Sequence, residues 1–140
     1  RVVTMARALR KKMNLAARLV EGFDAVPSPV AEPKEIQALI DRLGVSQEEF
    51  ARLIKTSGPS MSRWVRGTSR PSGRMAEKLG RLRTVLDILE PAIEKKDLKH
   101  FLGRPHTRLR GHSPISLLES DHGLETVKDL IETAFTGAFT

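Results

Sequence analysis

The strongest constraint in the sequence is a pair of closely spaced helix-start signals. Ser46-Gln47-Glu48-Glu49 spells a capping box, in which the Ser46 hydroxyl and the Glu49 carboxylate satisfy each other's free backbone amides. Ser57 offers a second cap one short helix later, and Gly67 supplies a stop. Phe50, Leu53 and Ile54 on the first segment, and Met61, Trp64 and Val65 on the second, fall at helical spacing. Helices this short are not stable alone in water, so both must dock on a shared core. That spacing makes Trp64 a core residue and leaves Ser57, Gly58, Ser60 and Arg63 as the exposed face of the second helix.

The remainder reads as helix throughout. Aromatics make up only 4% of the chain, so the core must be Leu, Ile, Val and Ala, which favours helices over a β-sandwich. Pro33 opens a helix whose apolar face is Ile36, Leu39, Ile40 and Leu43, closed by Gly44. Ser72 caps a longer helix with Met75, Leu79, Leu82, Leu86 and Leu89 on its buried face, and Pro91 ends or kinks it. Gly80 inside that helix points to close packing. A short helix carrying Leu98, Phe101 and Leu102 stops before Pro105, and Ser113-Pro114 starts another. Asp121 begins a last helix with Leu124, Val127, Leu130, Ile131, Ala134 and Phe135 along one face, stopped by Gly137. The fold class is therefore all-α. Three units are expected: a basic amphipathic arm and proline-rich linker over 1–32, a helix-turn-helix unit over 33–92, and a small helical unit over 93–140. The arm, with Val2, Ala6, Leu9, Met13, Ala16 and Val20 on one face, suits packing or dimerisation better than a transit peptide.

Charge separates the chain into two electrostatic halves. The net charge is +7. Arg52, Lys55, Arg63, Arg66, Arg70, Arg74, Lys78, Arg81 and Arg83 follow one another with Glu77 as the only acid among them, whereas acids slightly outnumber bases from Phe101 onward. A capped helix rich in Ser and Arg, preceded by a short helix, is suited to enter the DNA major groove. Arg63 is the best candidate for reading a guanine edge, with Ser57, Gly58 and Ser60 beside it. Gln47, at the free amides of the first helix, suits a phosphate, as do Arg66 and Arg70 beyond the second. Arg74, Lys78 and Arg81 read equally well as further basic surface or as the solvated face of an amphipathic helix.

The stretches Val45-Ser46-Gln47-Glu48-Glu49-Phe50-Ala51-Arg52-Leu53-Ile54 and Ser60-Met61-Ser62-Arg63-Trp64-Val65-Arg66-Gly67 resemble the Xre family of helix-turn-helix domains. Lys55 stands where such turns often carry glycine. The resemblance implies sequence-specific DNA binding, as a homodimer on an inverted-repeat operator. Behind it, Phe101-Leu102, Pro105, Leu109, Gly111, Ser113-Pro114, Leu117-Leu118, Gly123, Val127, Leu130 and Gly137 follow the order seen in MbcA/ParS/Xre-type antitoxins. Phe101 replaces a tryptophan more common there. This second resemblance implies a cytoplasmic antitoxin whose partner is a RES-domain toxin that consumes NAD, and which represses the shared operon. Phe135, Gly137, Ala138, Phe139 and Thr140 are the expected toxin-binding residues, with the tail plugging the toxin's cleft.

Other chemistry is not signalled. The chain has no cysteine, and His100, His106, His112 and His122 lack the i, i+4 spacing of a helical metal site. No phosphate-loop, dinucleotide or nucleophile-elbow motif is present, so neither an enzyme activity nor a cofactor is expected. No apolar run approaches the roughly 18 residues of a membrane span. The alternative function is a stand-alone repressor whose C-terminal half only dimerises.

Overall fold

A computed structural model describes residues 22–23 and 25–136; the amphipathic stretch Arg1–Val20 and residues 137–140 lie outside the described residues. All regular structure among them is helical: α1 Pro33–Leu43, α2 Gln47–Ile54, α3 Gly58–Arg66, α4 Gly73–Leu89, α5 Lys95–Gly103, a 3-10 turn Thr107–Leu109, α6 Pro114–Leu117 and α7 Asp121–Thr136. Four helix starts are set by serine caps. Ser46, Ser57, Ser72 and Ser113 accept hydrogen bonds from the amides of Glu49, Ser60, Met75 and Ser116. Gly44 and Gly67 end α1 and α3 in the left-handed conformation, as their placement predicts. Lys55 ends α2 with φ 61°, holding the glycine position with a side chain that must tolerate it. The capping box at Ser46 is only half formed. Glu49 leaves the Ser46 amide and turns its carboxylate toward Lys99 of α5, 3.7 Å away.

α2 and α3 pack on each other and α3 also packs on α1, with Phe50, Ile54 and Met61 fully buried. α4 forms the spine, burying Leu79, Leu82, Val85, Leu86, Ile88 and Leu89, each contributing about 2 kcal/mol of apolar transfer. α7 packs against α4, and α5 against α1, so one apolar cluster runs without a break from Val30 to Ile131. Several apolar expectations need correcting: Leu53, Val65, Phe101 and Leu130 are only partly buried. Ala134 is exposed, because the last turns of α7 extend past the cluster, and Met75 is only partly buried.

The proline-rich segment before Pro33 is not a free linker. Val30 is wholly buried and its amide donates to the Ala76 carbonyl at 2.9 Å. Gly80 is the reason α4 can receive it: a Cβ there would overlap the Ser28 carbonyl oxygen. Gly123 plays the same part between α6 and α7, where a Cβ would collide with the Leu117 carbonyl. Both contacts are with backbone, which cannot rotate aside. Gly123→Ala should therefore cost about 1–3 kcal/mol by forced overpacking, despite alanine's better helix propensity. Urea unfolding monitored by circular dichroism checks this, and an unchanged or raised midpoint would contradict it.

Candidate nucleic-acid interface

The exposed side of α3 carries a hydrogen-bonded row of side chains. Ser57 Oγ accepts from the Ser60 amide at 3.1 Å and donates to Ser60 Oγ at 2.9 Å. One turn on, an Arg63 guanidinium nitrogen donates to Ser60 Oγ at 3.2 Å, which fixes the arginine along the helix surface. Arg63 is exposed while Met61 and Trp64 point into the core, as the spacing predicts. Gly58 opens the helix with open space where a Cβ would stand, so a ligand backbone can approach closely. Gln47 is the first residue of α2 and is half-exposed. Beyond α3, Arg66 Nε donates to the Ser62 carbonyl at 3.3 Å, and Arg70 pairs with Glu32 at 2.6 Å. The Arg70 pair is solvent-facing and worth about 0–1 kcal/mol, so a phosphate can replace the carboxylate.

The basic run divides in a way neither reading of it anticipated. Lys78 and Arg81 are neither DNA-facing nor solvated but buried, at 3% and 7% exposure. Lys78 Nζ donates to the Ile54 carbonyl at 3.0 Å and pairs with Glu119 at 2.6 Å. It thereby closes the carboxyl end of α2, where the helix dipole favours a cation. Arg81 does the same for α6, donating to the Leu118 carbonyl at 3.1 Å while Nε meets Asp121 at 2.9 Å. Arg83 joins Glu35 and the Ser28 carbonyl, at 2.8 Å and 3.0 Å. The exposed cations left for a polyanion in this stretch are Arg52, Lys55, Arg63, Arg66, Arg70 and Arg74. The signal for the internal pairs was the pair of acids at an i, i+2 step around the start of α7, Glu119 just ahead of it and Asp121 at its first residue, matched to an i, i+3 pair of cations on α4.

Of the expected partner-binding residues, Gly137, Ala138, Phe139, Thr140 and the Phe135 side chain lie outside the described residues. The histidines do not converge: His106 Nε2 donates to the Phe101 carbonyl at 3.1 Å, and its ring tilts against Phe101. No group of three or more metal-binding side chains occurs among the described residues. No helix among them is long and apolar enough to cross a membrane.

Comparison with known proteins agrees with this geometry. Residues 36–82, which span α1 to α4, match the family model described as helix-turn-helix. This part of the chain is a helix-turn-helix domain. Similarity extends well past the domain. A probable mycobacterial cidal antitoxin of Mycobacterium tuberculosis is 27% identical over 108 residues, covering 77% of this chain and 91% of that protein. The mycobacterial cidal antitoxin MbcA of Mycobacterium bovis is 26% identical over 104 residues, covering 74% and 91%. The crystal structure of the M. tuberculosis MbcT-MbcA toxin-antitoxin complex contains a chain of the same fold, with a TM-score of 0.59 at 24% identity, covering 77% of this chain and 96% of that one. The resemblance to Xre-type antitoxins read from the sequence is thus borne out.

The helix-turn-helix domain is joined to the C-terminal helices through charge, and that charge titrates. The hydrogen bond from Lys78 holds the Glu119 carboxyl below its ordinary range; burial opposes this, and Lys78, Arg74 and Lys55 reinforce it through space. A carboxylate with a lowered folded value stabilises the fold fully above its unfolded value of about 4.3 and loses that stabilisation as pH falls through the folded value. Glu119→Gln should therefore lower stability at neutral pH, and the gap from the unaltered protein should close on acidification below about pH 4. Urea midpoints of the two proteins at pH 7 and pH 3 test this. A gap of the same size at both values would remove Glu119 from the account.

Proposed function

We propose that this protein is an antitoxin, one that neutralises a RES-type NAD-consuming toxin and binds operator DNA as a homodimer to repress its own operon. The observation that carries the reading is the reach of the similarity. The helix-turn-helix match ends at residue 82, whereas the antitoxin relatives align over 104 and 108 residues, 91% of their own length. A stand-alone repressor whose C-terminal half only dimerises would leave that additional similarity without a use.

On DNA, α3 enters the major groove with Gly58, Ser57 and Ser60 near base edges and Arg63 on a guanine, while Gln47, Arg66 and Arg70 hold phosphates. The Ser57–Ser60–Arg63 row supports this assignment, because an arginine already held in place loses less freedom when it binds. Arg63→Ala should weaken binding to the DNA upstream of the protein's own gene by about 1–3 kcal/mol, with much less effect on random duplex. Fluorescence anisotropy with both duplexes distinguishes the roles, and equal losses would reassign Arg63 to the phosphate backbone.

Toward the toxin, Phe135, Gly137, Ala138, Phe139 and Thr140 are the residues proposed to occupy the cleft meant for the nucleotide, with Phe139 suited to an apolar pocket. A toxin gene beside this one is expected on this reading, and its product provides the experiment. Co-expression with the whole chain should restore growth, and deletion of Phe139 and Thr140 should abolish rescue while DNA binding persists. Undiminished rescue by the shortened chain would move the inhibitory surface to the helices around Leu117 and Val127.

A further inference from the structure

The start of α5 breaks a helix rule. Its first two residues are Lys95 and Lys96, at the end of a helix where the dipole disfavours cations, and only Asp97 opposes them in the first turn. Glu94, the residue before, makes no side-chain cap. A local conflict with helix electrostatics calls for a gain elsewhere. Leu98 and Leu102 anchor α5 in the core at 1% and 0% exposure, so its outer residues are presented rigidly.

Those outer residues lie beside the DNA-facing end of α2. The Lys95 stem lies against Gly44 in the α1–α2 turn, where a Cβ would stand 2.9 Å from Lys95 Cδ. Lys99 Nζ stands 3.7 Å from Glu49 in the first turn of α2, and Gly103 packs on Leu53 further along, so α5 runs alongside α2 in the same direction. Lys95 and Lys99 are four residues apart and Lys96 and Lys99 three, which places all of them on one flank, with Asp97 on the other. Their carboxylate contacts are weak: Lys96 to Glu94 is 3.4 Å, with both side chains about three-quarters exposed.

We propose that Lys95, Lys96 and Lys99 form a second DNA-backbone site, outside the helix-turn-helix domain, that continues the phosphate contacts of α2 onto flanking duplex. The proposal rests on the DNA-binding reading above. The first helix of a helix-turn-helix crosses the backbone near its amino end, and phosphates beyond that point pass the flank of α5. The site carries no sequence information. It lengthens the footprint and steepens the salt dependence.

The test uses the full chain and the variant Lys95→Gln/Lys96→Gln/Lys99→Gln, with thermal melting to confirm an intact fold. Probes are the DNA upstream of the gene, the same site trimmed to its protected core, and a random duplex. With two phosphates held per protomer, the slope of log affinity against log salt should be shallower in the variant by about 3–4. The unaltered protein should bind the long duplex at least about tenfold more tightly than the trimmed one, and the variant should lose this preference. Failure of the unaltered protein to bind any duplex at low salt overturns the DNA reading and the lysine site together. Binding with identical slopes and identical length preference in both proteins overturns the lysine site alone. Unchanged DNA behaviour with loss of toxin capture would also overturn it, by assigning the lysines to the protein partner.

Discussion

One ammonium group holds three parts of the molecule in register. Lys78 projects from the middle of the α4 spine, reaches the last carbonyl of α2 and meets Glu119 just ahead of α7. With Arg81 repeating the arrangement at Leu118 and Asp121, α4 fixes both the first helix of the helix-turn-helix and the turn between α6 and α7. Buried ion pairs are a weak source of net stability, since desolvation offsets much of the attraction, but removal of one partner is costly. Their main effect here is to specify geometry. Stability comes from the apolar side chains of α4 and their neighbours.

That arrangement explains why the described residues share one core although the charge of the chain falls into two halves. The apolar cluster crosses the join between α4 and α5, and the polar contacts of Lys78 and Arg81 cross it as well. Close backbone approaches at Gly80 and Gly123 bring the segments near enough for those contacts to form. The recognition surface is stiffened separately, by the Ser57–Ser60–Arg63 row and by Met61 and Trp64 beneath it. On the proposed function this rigidity is an advantage, because the relation between the DNA-facing and partner-facing surfaces is preset.

The helix-turn-helix was legible almost residue by residue because its signals are local. A serine cap acts on amides two or three positions away, and a glycine stop acts on its own φ, so Ser46, Ser57, Ser72, Gly44 and Gly67 do in the structure what they announce in the sequence. Periodicity was nearly as informative for Ile36, Phe50, Met61 and Leu79, since a helical face needs a core whatever the core turns out to be. It was less informative at the chain's periphery. Ala134 has the right spacing but no neighbour to cover it.

By itself, the sequence determined the helices, their ends, the all-α class and the exposed row on α3, because each depends on interactions within a few residues. Only the tertiary structure decided which cations were available to a polyanion. Lys78 and Arg81 look like solvated surface in sequence, since their partners are about forty positions away and a charge pattern on one helix is blind to the charge packed against it. The same holds for the segment before Pro33, whose prolines suggest a linker until Gly80 leaves room for its backbone. It holds too for Lys95, Lys96 and Lys99, which acquire a setting only when α5 is laid beside α2. Long-range electrostatics and backbone-to-backbone approach depend on distance in space, and the fold alone supplies that distance.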